Sequence, residues 1–352
     1  MARVLILGAG VMGSAIAVPA LDNGHQVTLV GTHLDGRIIE ALRKDRNGHP
    51  KLNAPLPPSV QPLEINALSE AHLRDADFVI VGVSSPGIDW ATDKLKRFLT
   101  APRPLALVTK GLQPWNGQLR SFAGGLAEAL ADIGMTPGMV VGIGGPCIAK
   151  ELADRQPTAV VYAGLDRQVL EALRAVMQTD YYRVALSDDL EGVEVCAALK
   201  NFLAIAVSAM LTRYPEINPQ PTKPQAMNPA AAAFTQAVRE MAALTRWFGG
   251  QPQTAYGLAG LGDLNVTVGG GRNSRLGFHL GEDMTLEEAL GGPLAGETVE
   301  GADTALVLAA PLEKAFADGQ LDPLDYPMTR TLIATIRDGG PLSLDFTAIR
   351  FA

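Results

Sequence analysis

Lys200 stands in one of the most apolar stretches of the chain, GVEVCAALKNFLAI at positions 192–205. The stretch has the composition of a buried helix, and the residues three and four positions from the lysine offer it no charge partner: Cys196, Ala197, Leu203 and Ala204. A buried ammonium group needs a partner from elsewhere in the fold or from a ligand, and burial lowers its pKa towards the range used in proton transfer. The alternative is a lysine whose head group reaches water from a half-exposed face.

Further polar residues stand where chemistry is expected. Lys110 ends a strand-like segment in VTKG, and the carboxyl ends of parallel strands are where such sheets bind ligands. Asp263 is the one acid in GLAGLGDLNVT, and Arg272 and Asn273 follow an open glycine run in GGGRNSR. Together with Lys200 they offer two ammonium groups, a carboxylate and a guanidinium fork, a set suited to a small phosphate or carboxylate.

Composition limits the classes of function. The chain has 352 residues, 47% of them hydrophobic and 19% charged, which predicts a compact protein of two domains. Its net charge of −8 argues against a nucleic-acid or anionic-membrane surface, and a site for a small anion needs a local reversal of sign. The two cysteines and five histidines have no metal-ligand or disulfide spacing, so we expect no metal and a reducing, cytoplasmic setting.

A glycine fingerprint opens the chain. In VLILGAGVMGSAIA, Gly8, Gly10 and Gly13 follow a strand pattern and begin a helix, as in dinucleotide-binding proteins, where a side chain at the second glycine would block the pyrophosphate. A secretory signal is the alternative, but glycines interrupt its apolar core and a second strand pattern follows at 27–30. A membrane span at 193–210 is also disfavoured, because Lys200 and Asn201 interrupt it.

The choice between NAD and NADP depends on the segment GTHLDGR after the second strand. Thr32 and His33 stand where an acid would accept the ribose hydroxyls of NAD, and Arg37 is near enough to meet the 2′-phosphate of NADP. We therefore favour NADP slightly. Asp35 leaves NAD open as the alternative acceptor, and a third interpretation is that these side chains are only solvated.

The elements that must position these residues alternate in the first half of the chain. Apolar runs predict strands at 3–7, 26–30, 77–83, 104–110, 139–143, 158–163 and 182–187. After Ser187, Ala- and Leu-rich stretches predict helices at 193–212, 229–247 and 302–317, and five prolines predict an irregular excursion at 213–230. We predict an α/β, doubly wound (Rossmann-type) parallel-sheet domain at 1–188 and an all-α substrate and catalytic domain at 189–352.

Several motifs in order resemble the bacterial NAD(P)-dependent glycerol-3-phosphate dehydrogenase family over nearly the whole chain. They are GAGVMGSA, VTKGL, GGPCIAKELADRQPTAVV, GVEVCAALKNFLAI, NPAAAAFTQAVREM, GLAGLGDLNVT, RNSRLG and VEG. The resemblance implies reversible hydride transfer between NAD(P)H and dihydroxyacetone phosphate, giving sn-glycerol 3-phosphate, a reaction of phospholipid biosynthesis. It also implies a homodimer, although the Ala-rich helices can instead fill the core of a monomer.

The resemblance also implies roles for matching residues. Lys200 would exchange the proton with the C2 oxygen, Lys110 would contact substrate and cofactor, and Asp263 would orient the lysine or a substrate hydroxyl. The implied cofactor-binding residues are Gly8, Gly10, Val11, Met12, Gly13, His33, Lys110, Ala149, Arg272 and Glu300. The implied substrate-binding residues are Lys110, Gly145, Cys147, Lys200, Asp263, Gly271, Arg272 and Asn273.

Four positions depart from the family pattern. Met12 stands for a tryptophan, Cys147 for a serine or threonine, Gly271 for a serine and Gln236 for an arginine, and the segment 213–230 is longer than the family's loop. Each loss removes a polar or aromatic contact and leaves the proton carrier in place. The alternatives are thus a sister dehydrogenase acting on another small phosphorylated or carboxylated hydroxy compound, and a nucleotide-sensing protein without catalysis.

Overall fold

The computed structural model describes residues 1–45, 48–115, 118–214 and 227–349. The chain divides into two compact units, one of Met1–Lys110 with Ser121–Glu194 and the other of Gly111–Arg120 with Val195–Ala352. Most of the proline-rich excursion predicted at 213–230 lies outside the described residues, and its last four residues belong to a helix.

The first unit is built on an eight-stranded sheet of order β10-β9-β8-β5-β4-β1-β2-β3. The strands β6 and β7 form a separate two-stranded sheet. The strands are β1 (Arg3–Leu7), β2 (Gln26–Val30), β3 (Gln61–Leu63), β4 (Phe78–Val81), β5 (Leu105–Leu107), β6 (Leu112–Trp115), β7 (Gln118–Ser121), β8 (Val140–Gly144), β9 (Thr158–Ala163) and β10 (Tyr182–Ser187). All seven predicted strands are present in the sheet. The eighth strand of this sheet, β3, was not predicted. It has three residues and contains Pro62, and a proline argues against a strand except at the edge of a sheet, where β3 lies.

The sheet is mostly parallel, as predicted, and contains one antiparallel pair. β8 and β9 pair antiparallel while all other neighbours in this sheet are parallel, so β9 and β10 run against the remaining strands. The connection between β8 and β9 contains one five-residue helix, Ala149–Ala153.

The helices of the first unit form two groups, as a doubly wound sheet requires. They are α1 (Val11–Ala15), α2 (Ala17–Asp22), α3 (Gly36–Asp45), α4 (Glu70–Arg74), α5 (Ile88–Phe98), α6 (Phe122–Ala129), α7 (Ala149–Ala153) and α8 (Arg167–Met177). α1 packs on α2 and α7, α2 packs on α8, and α5 packs on α6. The mostly parallel, Rossmann-type fold is confirmed.

The described residues after Ser187 form no strand, so the predicted change to helix is confirmed for them. The helices are α9 (Leu190–Thr212), α10 (Met227–Trp247), α11 (Asp263–Val268), α12 (Arg272–Gly281), α13 (Leu286–Gly291), α14 (Glu300–Ala317) and α15 (Pro327–Asp338). The three helices predicted from Ala- and Leu-rich stretches correspond to α9, α10 and α14.

α9 is the core helix of the second unit. Glycines bring two other helices onto its backbone: a Cβ on Gly277 of α12 would lie 2.3 Å from the Ile205 carbonyl oxygen, and one on Gly301 of α14 would lie 2.4 Å from that of Asn201. Among the described residues α9 alone has the length and hydropathy of a membrane span, and 83% of its most apolar window is buried within the protein. Close helix packing thus accounts for its apolar character.

Candidate active site

The turn after β1 has the shape that a pyrophosphate requires. Gly8 has φ +113°, a conformation that side chains rarely adopt, and a Cβ on Gly13 would lie 2.1 Å from the Gly8 carbonyl oxygen. No atom of the described chain lies within 4 Å of the Cβ position at Gly10, which directly precedes α1. The protein's own packing therefore does not demand a glycine at that position, whereas close approach of a dinucleotide to the backbone does.

Asp35, the acid that could accept the ribose hydroxyls of NAD, is already engaged by the protein's own backbone. Its carboxylate is buried, and Oδ2 accepts hydrogen bonds from the backbone N–H of Ala9 (3.1 Å) and of Thr32 (2.8 Å). The side chains of His33 and Arg37 are exposed, as a contact with an added phosphate requires. The sequence alone does not show which of these side chains is buried and which is exposed, because all of them lie within six positions of one another.

Four of the predicted residues line one small cavity of the first unit, which Lys110 shares with Met12, Gly145 and Cys147. The Lys110 ammonium donates to the Gly145 carbonyl oxygen at 3.4 Å. Ala149 is the first residue of α7, the helix that packs against α1. The fold therefore brings the glycine turn, the end of the β5 segment and the turn after β8 together.

Lys200 has its partner within the second unit. Its ammonium donates to Asp263 Oδ1 at 2.8 Å and to Thr267 Oγ1 at 2.7 Å. The side chains of Lys200 and Asp263 are 12% and 3% exposed, so the lysine does not extend into water as the alternative interpretation required. The Thr267 hydroxyl in turn donates to the Asp263 carbonyl oxygen at 2.7 Å. Because its proton is used there, the hydroxyl oxygen presents its lone pairs to the Lys200 ammonium.

Thr267 was missed by the sequence interpretation. Its position is four residues after Asp263, and on a helix this spacing places both side chains on one face. That spacing was the available signal.

Asp263 is positioned by an unusual turn. The segment Leu258–Gly262 is a π-helix that runs directly into α11, whose first residue is Asp263. A Cβ on Gly260 would lie 2.2 Å from the Ala255 carbonyl oxygen, so the wide turn can form only with glycine there. Insertions of this kind often occur at functional sites, and here the turn carries the carboxylate to the lysine.

The start of α12 forms a second polar group. Arg272 pairs with Glu300 at 2.5 Å, and the buried Asn273 accepts a hydrogen bond from the Gly301 N–H at 2.9 Å. This contact uses the amide oxygen of Asn273, so its NH₂ group, which is a donor, points away from Gly301. Gly271 has φ +102°, which accounts for glycine where the family has serine.

Another departure from the family pattern, Gln236, has a structural account. Its amide NH₂ donates to Glu240 Oε1 at 2.8 Å, and the same carboxylate accepts from the backbone N–H groups of Met328 and Thr329 at the start of α15. Burial raises the pKa of Glu240, against the lowering effect of these donors. Gln236 therefore belongs to a buried network that joins α10 to α15.

Glu194, on the first turns of α9, is a buried carboxyl with a strongly shifted pKa. It is 1% exposed, and burial raises its pKa to about 8, with the charge of Glu191 adding to the shift. The Ala123 amide and the Lys110 ammonium act in the opposite direction, but no described residue makes a hydrogen bond of normal geometry to either carboxyl oxygen. A protonated carboxyl is the form that this environment favours at neutral pH.

A doubly wound sheet with a glycine turn after its first strand, followed by helices that hold a buried lysine–aspartate pair, defines a nicotinamide-dependent dehydrogenase of the Rossmann type. The comparisons with known proteins give the family. Residues 3–170 match the model for the NAD-dependent glycerol-3-phosphate dehydrogenase N-terminus, and residues 189–343 match the model for its C-terminus. The chain belongs to the NAD-dependent glycerol-3-phosphate dehydrogenase family.

Relatives agree with this placement. The chain is 33% identical to an NADP(+)-dependent glycerol-3-phosphate dehydrogenase of Archaeoglobus fulgidus, over 82% of each chain. It is 30% identical to a glycerol-3-phosphate dehydrogenase [NAD(P)+] of Neisseria meningitidis, over 95% of this chain and 94% of the relative. A solved glycerol-3-phosphate dehydrogenase from Coxiella burnetii superposes with a TM-score of 0.76 at 27% identity, covering 96% of this chain and 95% of the other.

Proposed function

We propose that the protein catalyses reversible hydride transfer between NAD(P)H and the C2 carbonyl of dihydroxyacetone phosphate, giving sn-glycerol 3-phosphate. The observation that carries the proposal is the Lys200 ammonium held by Asp263 and Thr267 at 2.8 and 2.7 Å in a nearly buried setting. Family membership and the names of the relatives support the substrate.

Lys200 is the proposed proton carrier. Reduction of a ketone leaves negative charge on the C2 oxygen, and an ammonium group fixed by two acceptors can protonate that oxygen. Asp263 and Thr267 hold the Lys200 amine by hydrogen bonds and limit its orientation. The bound nicotinamide dinucleotide supplies the hydride in reduction and accepts it in oxidation. In oxidation Lys200 takes the hydroxyl proton.

Binding of the anionic substrate is assigned to residues that can donate hydrogen bonds. Arg272 supplies a guanidinium fork for the phosphate, Asn273 supplies its NH₂ group, and Lys110 supplies a second ammonium. Gly145, Cys147 and Gly271 complete the proposed substrate contacts. Arg272 is already paired with the Glu300 carboxylate. A bound phosphate therefore either displaces this carboxylate from the guanidinium or binds the guanidinium together with it.

For the cofactor, NADP is the slightly favoured form. Support comes from the Asp35 carboxylate, which is engaged by two backbone amides, and from the exposed side chains of His33 and Arg37. The name of the A. fulgidus relative agrees. Gly8, Gly10, Val11, Met12 and Gly13, with Ala149 and Glu300, are the other proposed cofactor residues.

We further propose that the chain has a dinucleotide-binding domain at 1–188 and a substrate and catalytic domain at 189–352. The proposal includes a homodimer, a cytoplasmic location and a role in phospholipid biosynthesis. Sedimentation of the purified chain tests the dimer.

Steady-state assays test the reaction. Purified protein with dihydroxyacetone phosphate should oxidise NADPH and NADH with kcat in the ordinary range of about 1–10³ s⁻¹. A panel of phosphorylated and carboxylated ketones serves as the control. Faster turnover of another anion would establish the sister dehydrogenase, and tight dinucleotide binding without turnover of any of them would establish the sensing protein.

A further inference from the structure

The peptide groups of Ala9, between the first two glycines of the turn, are held from both sides by buried side chains. The Ala9 carbonyl oxygen accepts from Ser14 Oγ at 3.0 Å and lies 3.2 Å from His49 Nε2. The Ala9 N–H donates to Asp35 Oδ2 at 3.1 Å. Ser14, His49 and Asp35 are 0%, 2% and 9% exposed, so water does not compete at these contacts.

These contacts determine where the next amide points. The Ala9–Gly10 peptide is planar and trans, so its C=O and N–H bonds point in opposite directions. Ser14 and His49 hold the carbonyl towards the protein interior, and the N–H of Gly10 must therefore point outward. No described atom lies within 4 Å of a Cβ position at Gly10, so the backbone at this residue is open to a ligand.

His49 makes its contact in one tautomer. The backbone N–H of Lys51 donates to His49 Nδ1 at 3.1 Å, so Nδ1 carries a lone pair and the ring proton is on Nε2, where it is donated to Ala9. Protonation of Nδ1 would break the Lys51 contact and place a positive charge in a buried site. Of the described charged groups that act on the ring, Asp35 favours protonation and Lys51 opposes it, while burial has the largest effect and lowers the pKa of His49.

We propose that His49 is a positioning residue for the cofactor: its neutral ring orients the Gly10 amide towards the pyrophosphate, and protonation of the ring weakens dinucleotide binding. His49 lies outside the helices and strands, 40 residues from the turn that it holds. The proposal rests on the proposed function only in taking a dinucleotide as the ligand. It concerns NAD and NADP equally, because both carry the pyrophosphate.

Binding without substrate tests the proposal. Dissociation constants for NAD⁺ and NADP⁺ are measured by calorimetry on the intact chain for the wild type, His49→Phe and His49→Asn. Phenylalanine cannot donate to Ala9 and should weaken both cofactors by roughly tenfold, the value of one lost hydrogen bond of ~1.4 kcal/mol. Asparagine keeps an NH₂ donor without titrating, and it should bind both cofactors within about threefold of the wild type at pH 8.

The pH profile separates positioning from a purely structural role. Because burial lowers the pKa of His49 below 6.5, wild-type binding of NAD⁺ should weaken as the pH falls below 6.5 towards the acid limit of the folded protein, whereas binding by His49→Asn should stay flat. The exposed His33 is present in both proteins, so its contribution is the same on both sides of this comparison. Far-UV circular dichroism and thermal unfolding check that the variants are folded.

Two results would overturn the inference. One is unaltered binding by a folded His49→Phe variant. The other is the same pH profile for the wild type and His49→Asn, a comparison that stands even when the phenylalanine variant does not fold. Either result with normal wild-type turnover leaves the proposed function intact, whereas failure of the wild type to bind any dinucleotide would overturn both.

Discussion

Replacement of Glu194 by glutamine should change how the stability of the protein depends on pH. The carboxyl packs against β8 at Gly142, where a Cβ would lie 2.5 Å from Glu194 Oε1, so the strand leaves room for this one side chain. Burial raises the pKa from 4.5 to about 8. The folded protein therefore keeps a proton that the unfolded chain releases near pH 4.5.

The direction in which stability changes with pH follows from the number of protons that the folded and unfolded states bind. Below pH 4.5 both states carry the proton and Glu194 adds no pH dependence, whereas between pH 4.5 and about 8 folding takes up a proton and stability falls as the pH rises. At 1.36 kcal/mol for each unit of pKa, the free energy of unfolding loses at most about 5 kcal/mol across this window. Glutamine keeps the shape of the protonated acid and does not titrate, so the variant should avoid this loss.

Urea unfolding of the wild type and Glu194→Gln at pH 5, 7 and 9 measures the effect. The two midpoints should lie close together at pH 5 and separate as the pH rises, with the variant the more stable at pH 9 by several kcal/mol. The exposed Glu70, replaced by glutamine, is the control for a change of composition alone. Parallel curves for the wild type and Glu194→Gln would refute the reasoning, because they would mean that the carboxyl is ionised in the folded state.

Three further variants test the second unit. Asp263→Asn should lower kcat by about 10–10² with little change in KM, because the carboxylate that positions the Lys200 amine is lost; a rise in KM alone in steady-state assays would contradict this. Arg272→Ala should raise the KM for dihydroxyacetone phosphate at least ~10-fold, and an unchanged KM would remove the arginine from the phosphate site. Gly277→Ala should lower the free energy of unfolding by ~1–3 kcal/mol, because its Cβ meets the backbone of α9, whereas Gly291→Ala, with open space at its Cβ, should be nearly neutral in thermal unfolding.

Much of the fold followed from local patterns. All seven predicted strands are present because buried strands are near-continuous apolar runs, and the helices after Ser187 have long Ala- and Leu-rich patterns. The antiparallel pairing of β9 with β8 was not predicted, because strand direction depends on the path of the connection, which the apolar pattern does not encode. β3 was missed because a three-residue strand containing Pro62 has no periodicity to detect.

The part of the site that the sequence predicted is the part where a charged residue has no partner among its neighbours on the same helix. Lys200 on an apolar helix face required a partner, and Asp263 in its glycine setting is that partner. Thr267 and His49 were not predicted, because a threonine on a helix and a histidine in a loop are common in any sequence. Their roles depend on tertiary contacts, with Lys200 for one and with Ala9 for the other.

The central claim is that Lys200 carries the proton, and the rate of hydride transfer in a single turnover tests it most directly. Lys200→Ala, mixed with NADPH and dihydroxyacetone phosphate, should transfer hydride ~10²–10⁴ times more slowly than the wild type while binding NADPH within about twofold. Added methylammonium should restore part of the rate, because a free amine can replace the missing one. A variant that keeps the wild-type rate, or one that loses rate and NADPH affinity equally without recovery in the amine, would contradict the claim.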